Sequence, residues 1–234
     1  MVLNNEIIKM NGIFYNEVDD FIGELVTSPL KKEQNLLKKM EDYARSNHVP
    51  IMNTTVSNFI SILLKIHLPK RVLELGTGIG YSAIFMCDQC STIESLISYE
   101  INSERYKIAK MYCNESLYRK KINLVQKDFR KFFEDSTTAA TEKNIFDFIY
   151  VDAAKGQYHK ILDYYGDQLT PNGLMIFDNV FINGWVINLD YPNHRRKHYV
   201  LKMRKFLCFL KEQKYFDFSI LPLSDGILLI RKKD

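Results

Sequence analysis

The sequence predicts an α/β fold: a seven-stranded, mostly parallel sheet with helices on both faces, closed by a C-terminal antiparallel hairpin. Three observations carry this. From Arg71 onward, apolar runs of strand length alternate with helical periodicity, the pattern of parallel strands joined by covering helices. The last two strand-like runs are separated only by Pro222-Leu223-Ser224-Asp225-Gly226, close enough for a hairpin. A chain of 234 residues, 46% hydrophobic and 26% charged, is long enough for one large domain with a full core.

Taken in order, residues 3–26 and 31–46 carry helical periodicity interrupted by Ser28-Pro29, a turn signal. After His48-Val49-Pro50, the run Asn53-Thr54-Thr55 offers a helix start, followed by the apolar stripe Phe59, Ile60, Leu63 and Leu64. Residues 1–68 are thus N-terminal helices and residues 69–234 the sheet-bearing core of a single domain 1–234. Strands are expected at 71–75, 95–99, 122–125, 146–151, 174–177, 216–221 and 226–231. Between them lie helices at 81–90, 103–116, 157–168 and 198–213, and a short helical segment at 129–133. Thr170-Pro171-Asn172-Gly173 reads as the turn before the fifth strand.

Several classes are disfavoured. No run of 18 apolar residues occurs, so no membrane span is expected. The N-terminus lacks the charged and apolar regions of a signal peptide, and a cytoplasmic protein is the expectation. Cys87 and Cys90 form a lone C-x-x-C without a second pair or nearby His; a zinc site needs four ligands, so the cysteines are expected to be reduced and structural. The net charge of +4 permits an anionic partner without demanding one.

The first chemical signal is "VLELGTGIGYSA". Gly76, Gly78 and Gly80 lie between a strand and a helix, where the backbone can approach a ligand closely and the helix start favours negative groups. A plain strand–helix turn needs fewer glycines. Twenty residues beyond Gly80, Glu100 ends the next strand, where a carboxylate suits a ribose diol. Asp128 follows the third strand in "VQKDF".

The second signal is "FDFIYVDAAKGQY". A core strand ends on Asp152, with Lys155 three residues later, and the next strand ends in "LMIFDNV" on Asp178 and Asn179. Neighbouring parallel strands deliver such residues to one edge. Two carboxylates and an amide are hard oxygen donors suited to Mg²⁺ or a similar divalent cation. A cation lowers the pKa of a bound hydroxyl, and a lysine beside it can accept or stabilise the proton, as methyl transfer to oxygen requires. The bland alternatives stay open: Asp152 as a helix cap, Asp178-Asn179 as a turn, Lys155 as an exposed loop residue.

The glycine loop with Glu100 and Asp128 resembles the fingerprint of class I S-adenosylmethionine (SAM)-dependent methyltransferases, which implies a Rossmann-like fold. The resemblance puts Gly76, Gly78 and Gly80 along the methionine part, Glu100 on the ribose and Asp128 facing adenine. Phe129 would pack on the adenine ring and Ser82 bond the methionine carboxylate; Met52, Glu74 and Asp152 complete the expected donor contacts, with Thr54 a weaker candidate. "LELGTGIGYSA", "YVDAAKGQY", "FDNV" and the closing "LPLSDGILLIRKK" are similar to the cation-dependent O-methyltransferases of the catechol and caffeoyl-CoA type, from about His48 to the end. That resemblance implies Asp152, Asp178 and Asn179 as metal ligands, Lys155 with Asp152 as the catalytic pair, and a homodimer.

For the acceptor, the basic run Arg195, Arg196, Lys197 after the metal motif could hold phosphates. With the compact arrangement of "DNVFINGWV" before a basic helix, the chain resembles the bacterial branch that methylates 5-hydroxyuridine in the tRNA anticodon loop. Trp185 and Tyr191 are candidates for stacking a base. A small catechol or caffeoyl-CoA-like phenol is the alternative acceptor, and a non-catalytic RNA-binding protein on the same scaffold the second. Residues 134–145 form a long polar connection without an assigned role.

Overall fold

The structure is a computed structural model describing residues 21–25, 32–134, 145–187 and 197–234. The expected Arg195, Arg196 and Tyr191 contacts, and most of the first helix and of the 134–145 connection, fall outside the described residues. Seven strands form one sheet: β1 (Arg71–Leu75), β2 (Ser95–Glu100), β3 (Ile122–Gln126), β4 (Phe146–Val151), β5 (Leu169–Phe177), β6 (Phe216–Leu221) and β7 (Ile227–Lys232). Their order is β3-β2-β1-β4-β5-β7-β6. β1 to β5 pair in parallel, while β7 is antiparallel to both β5 and β6. The hairpin is therefore where the chain closes the sheet.

Helices accompany it, among the described residues, at α1 (Gln34–Ser46), α2 (Thr54–His67), α3 (Tyr81–Gln89), α4 (Ser103–Glu115), α5 (Tyr158–Tyr165) and α6 (Lys197–Phe209). Successive strand residues point to opposite faces, and this builds two cores. Val72, Phe148, Tyr150 and Ile176 pack with apolar residues of α1, α2 and α3. Leu73, Ile149, Val151 and Phe177 pack with residues of α5 and α6. Because both faces are covered, β4 reads as a continuous apolar run rather than an alternating one. Among the described residues, no helix is long and apolar enough to cross a membrane.

Thr170-Pro171-Asn172-Gly173 is not a turn ahead of β5 but lies inside it. Pairing jumps from Phe146–Leu169 to Phe148–Leu174, so five residues of β5 answer two of β4. Pro171 has no N–H for the ladder, Asn172 takes a left-handed φ of 61°, and the loop bulges outward. The last helix is also shorter than its pattern: α6 stops at Phe209 and a 3₁₀ turn covers Leu210–Glu212.

β1 has β2 on one side and β4 on the other. The chain thus runs outward in opposite directions from this point, opening a crevice beyond the C-terminal ends of β1 and β4. The glycine loop leaves β1 there, and Asp152 leaves β4.

Candidate active site

Gly76, Gly78 and Gly80 have φ of 108°, 56° and 91°, a region open to glycine without strain. At Gly76 space adds a second reason, since a Cβ would stand 2.6 Å from the Asp152 carbonyl oxygen. The loop is tied to β2: Gly76 and Thr77 N–H both donate to the Tyr99 carbonyl at 3.1 Å. Gly78 N–H donates to Glu100 Oε2 at 2.9 Å, and Glu100 Oε1 accepts the Asn102 N–H at 2.8 Å. Each Glu100 oxygen keeps acceptor capacity on the cavity side, enough for a diol.

Met52, Gly76, Gly78, Ser82, Glu100, Asp128, Phe129 and Asp152 line one cavity of about 470 Å³. Thr54 lines a different one, and Gly80 acts from behind as the left-handed cap of α3. Glu74 is also off the cavity wall. It is fully buried, accepting hydrogen bonds from the Ser82 and Ser98 hydroxyls, with Thr77 Oγ1 2.5 Å from Ser98 Oγ. Burial pushes its carboxyl up to about 7, against the two hydroxyl bonds and with help from Asp152 and Glu100. The Ser82 hydroxyl proton, expected to meet a methionine carboxylate, is directed at Glu74 instead.

Asp128 faces the cavity with its charge engaged: Arg130 Nε and Nη2 reach its two oxygens, each at 2.8 Å. That hydrogen bonding holds the carboxyl below its ordinary range. Phe129 is buried and meets Phe133 and Tyr165 edge-on at 6.2 and 6.4 Å. Tyr99, Arg105 and Arg130 also line this cavity. Sequence reasoning passed over them, although Tyr99 stands beside Glu100 at the end of β2.

The cation motif lies where the parallel register puts it. Asp178 N–H donates to the Val151 carbonyl at 2.9 Å and Asp152 N–H to the Leu75 carbonyl at 3.0 Å, so both acids follow directly from paired strand ends. Asp178 is buried, accepting from Tyr150 Oη at 2.6 Å and from Asn179 N–H at 2.7 Å. Its carboxyl is raised by burial. Asp152 reaches the cavity surface, yet the surrounding protein and then Asp178 hold its carboxyl up, at about 7. Lys155 pulls both carboxyls down and Arg105 pulls down Asp152, yet burial outweighs them, and a divalent cation would add positive charge that favours both carboxylates. Asn179, at a left-handed φ of 55°, adds an amide oxygen, and Lys155 Nζ donates to it at 2.7 Å. The donor set fits a hard cation. Among the described residues no three His, Cys, Asp or Glu side chains are grouped so as to hold a metal ion, so a cation here depends on the amide.

A second cavity of about 600 Å³ shares Arg130, Ala154, Lys155 and Asn179 with the first, and Tyr199, Asn183 and Asp225 complete its wall. Lys155 thus stands at the junction of the two cavities. α6 packs beside it: a Cβ on Gly156 would meet the Tyr199 ring at 2.7 Å and Lys202 Cδ at 3.8 Å. Lys197, exposed, opens that helix. Trp185 is half-buried against the core of the α5–α6 face. Cys87, Cys90 and Cys113 are buried free thiols, and Cys208 is exposed and free.

Comparison with known proteins agrees with this geometry. A flavonoid 3′,5′-methyltransferase of Vitis vinifera is 27% identical over 218 residues, covering 89% of this chain and 91% of that protein. A caffeoyl-CoA O-methyltransferase of Stellaria longipes is 23% identical over 239 residues, covering 96% and 98%. The structure of an O-methyltransferase from Bacillus cereus in complex with SAH superposes with a TM-score of 0.77 at 19% identity, over 95% of this chain and 100% of that one. A SAH-bound methyltransferase of Podospora anserina gives 0.75 at 21%, over 100% and 98%. At such identities the superpositions establish the fold. The O-methyltransferase family matches residues 27–233, and the chain belongs to that family.

Proposed function

We propose that the protein transfers a methyl group from SAM to an aromatic or enolic hydroxyl in a divalent-cation-dependent reaction, with 5-hydroxyuridine in the tRNA anticodon loop as acceptor. The carrying observation is the position of Lys155 and Asn179, shared by the glycine-loop cavity and the second cavity. Bound SAM supplies an electrophilic methyl group on a sulfonium, and a cation held by Asp152, Asp178 and Asn179 supplies Lewis acidity toward the acceptor hydroxyl.

The chain's own residues divide the remaining work. Glu100 accepts hydrogen bonds from the ribose hydroxyls, while Met52 and Phe129 exclude water around the adenosine. Arg130 fixes Asp128 at the cavity rim. Lys155 Nζ, held toward the junction by Asn179 Oδ1, takes the acceptor hydroxyl's proton as the neutral amine or, as the ammonium, stabilises the negative charge left on the oxygen when the proton leaves to solvent.

Support for a phosphate-bearing acceptor comes from α6, which carries Lys197, Lys202 and Lys205 and packs at the Lys155 turn. A second reading, a small phenol or a phenolic CoA thioester, is favoured by the names of the plant relatives. Mass spectrometry of tRNA nucleosides from a deletion strain separates the two. Loss of 5-methoxyuridine supports tRNA; an unchanged nucleoside profile, with catechol methylated by the isolated protein, supports the phenol.

A further inference from the structure

The turn between β6 and β7 meets the second cavity at an unusual stretch of backbone. Ile182, Asn183 and Gly184 are consecutive residues with left-handed φ of 51°, 55° and 76°. Side-chain-bearing residues rarely adopt this region, and a β-branched one does so only where its surroundings hold it. What holds this stretch is the turn at 222–226. Asp225 Oδ1 accepts the Asn183 N–H at 2.6 Å, and the Gly184 N–H bonds to the same carboxylate. Successive amides in such a conformation converge into a small anion-binding concavity. The anion that fills it is the Asp225 side chain.

The main chain reinforces the clamp. Phe181 N–H donates to the Asp225 carbonyl at 2.9 Å and Val180 N–H to the Gly226 carbonyl at 3.0 Å. Phe181 lies so near Gly226, itself at a φ of +85°, that a Cβ there would stand 2.6 Å from the ring. On its other side, Ser224 accepts a hydrogen bond from Asn53 Nδ2 at 2.6 Å. The clamped segment starts directly after Asn179 and gives Ile182 and Asn183 to the cavity wall that Asp225 also lines. Asp225 does not line the glycine-loop cavity.

We propose that Asp225 is a positioning residue for the acceptor. By filling the amide concavity of residues 183–184, it fixes the acceptor-side wall and the course of the chain leaving Asn179, and leaves the donor site untouched. This rests on the O-methyl-transfer reading above.

The test compares Asp225→Ala and Asp225→Asn with the unmodified protein, using SAM with catechol and with tRNA as acceptors. Asp225→Ala is expected to raise the KM of the acceptor that is turned over about tenfold. It should leave the SAM dissociation constant within about twofold and speed hydrogen exchange at the 183 and 184 amides. Asp225→Asn keeps an oxygen acceptor and should restore most of the acceptor KM. An unchanged KM in Asp225→Ala overturns the proposal. So does a parallel loss of donor affinity, or an Asp225→Asn variant as impaired as the alanine. If the unmodified protein binds SAM but methylates neither acceptor, the acceptor reading fails instead, and exchange at 183 and 184 in the two variants decides the clamp by itself.

Discussion

In the glycine loop the chain takes left-handed backbone at Gly76, Gly78 and Gly80; around the second cavity it does so at Gly184 and Gly226 but also at Ala154, Asn179, Ile182 and Asn183, which carry side chains. Glycine adopts that region at little steric cost, whereas each side-chain-bearing residue there costs on the order of 1–3 kcal/mol. The donor loop is therefore specified locally, by residues that permit its shape. The acceptor wall is specified from a distance, by partners that enforce it. The electrostatics differ in the same way. The donor side hides one acid, Glu74, among hydroxyls. The cation motif sets Asp152 and Asp178 at paired strand ends, where burial raises both against the pull of Lys155.

If that division is real, chemistry and donor binding separate by mutation. Asp178→Asn tests this with the largest expected effect, because an amide keeps the shape beside Tyr150 and Asn179 while removing the charge a cation needs. Turnover should fall about 10³-fold, the several kcal/mol that metal-ion catalysis contributes, with SAM affinity by calorimetry changed by less than about threefold. Full turnover in the variant, or in the unmodified protein with excess chelator, would falsify the division at its chemical end.

The donor side is tested through pH. Burial raises the Glu74 carboxyl from 4.5 to about 7, so the folded state binds the proton more tightly than the unfolded chain does. The contribution is fully present below about pH 4.5 and is lost as pH rises through about 7, amounting to about 3 kcal/mol across the window. Glu74→Gln removes the titration while leaving an acceptor for one hydroxyl. In urea unfolding, the variant should gain on the unmodified protein between pH 5 and pH 8. A stability difference independent of pH would show that Glu74 is already ionised in the fold, and that this buried acid has a partner the hydroxyls do not explain.

The two halves were also unequally legible in the sequence. Three alternating glycines announce the donor loop because each acts where it stands. β4 was legible because both its faces are covered, and its terminal acid could be placed by parallel register alone. Glu74 was visible as an acid within a strand, but its partner Ser98 lies opposite in β2, a pairing that periodicity does not reveal. Thr170–Gly173 has the composition of a turn, and only pairing with β4 turns it into a bulge. Asp225 depends on an amide 42 residues away, so no local signal marks it. Asp128 reads as a free carboxylate until Arg130 folds back onto it.

A smaller effect sharpens the donor side. Glu100 is the one predicted ribose contact whose carboxylate also ties the glycine loop, through Gly78 N–H. Glu100→Ala should weaken SAM binding by about 1–3 kcal/mol, the range for hydrogen bonds to a charged group. Chemistry on bound substrate should be nearly unchanged, because the lost contact lies away from the acceptor oxygen. Unchanged affinity would leave the loop tether as its whole role.

The smallest effect per residue is expected at Arg195 and Arg196, and it separates the two acceptor readings. If Arg195 and Arg196 hold phosphates, each contributes screened attraction rather than a shaped contact, so removing both should weaken tRNA binding modestly and similarly across sequences. The sharper signature is the salt dependence. Each phosphate contact adds roughly one unit to the slope of log affinity against log salt, and Arg195→Ala/Arg196→Ala should flatten that slope by about two units. Catechol carries no phosphate array, so its KM should respond neither to salt nor to the substitutions. A flattened slope with tRNA and an indifferent catechol rate would assign the basic segment to the acceptor. An equal response of both acceptors, or methylation of catechol alone, would move the acceptor reading to the small phenol and leave the basic segment a solvated helix face.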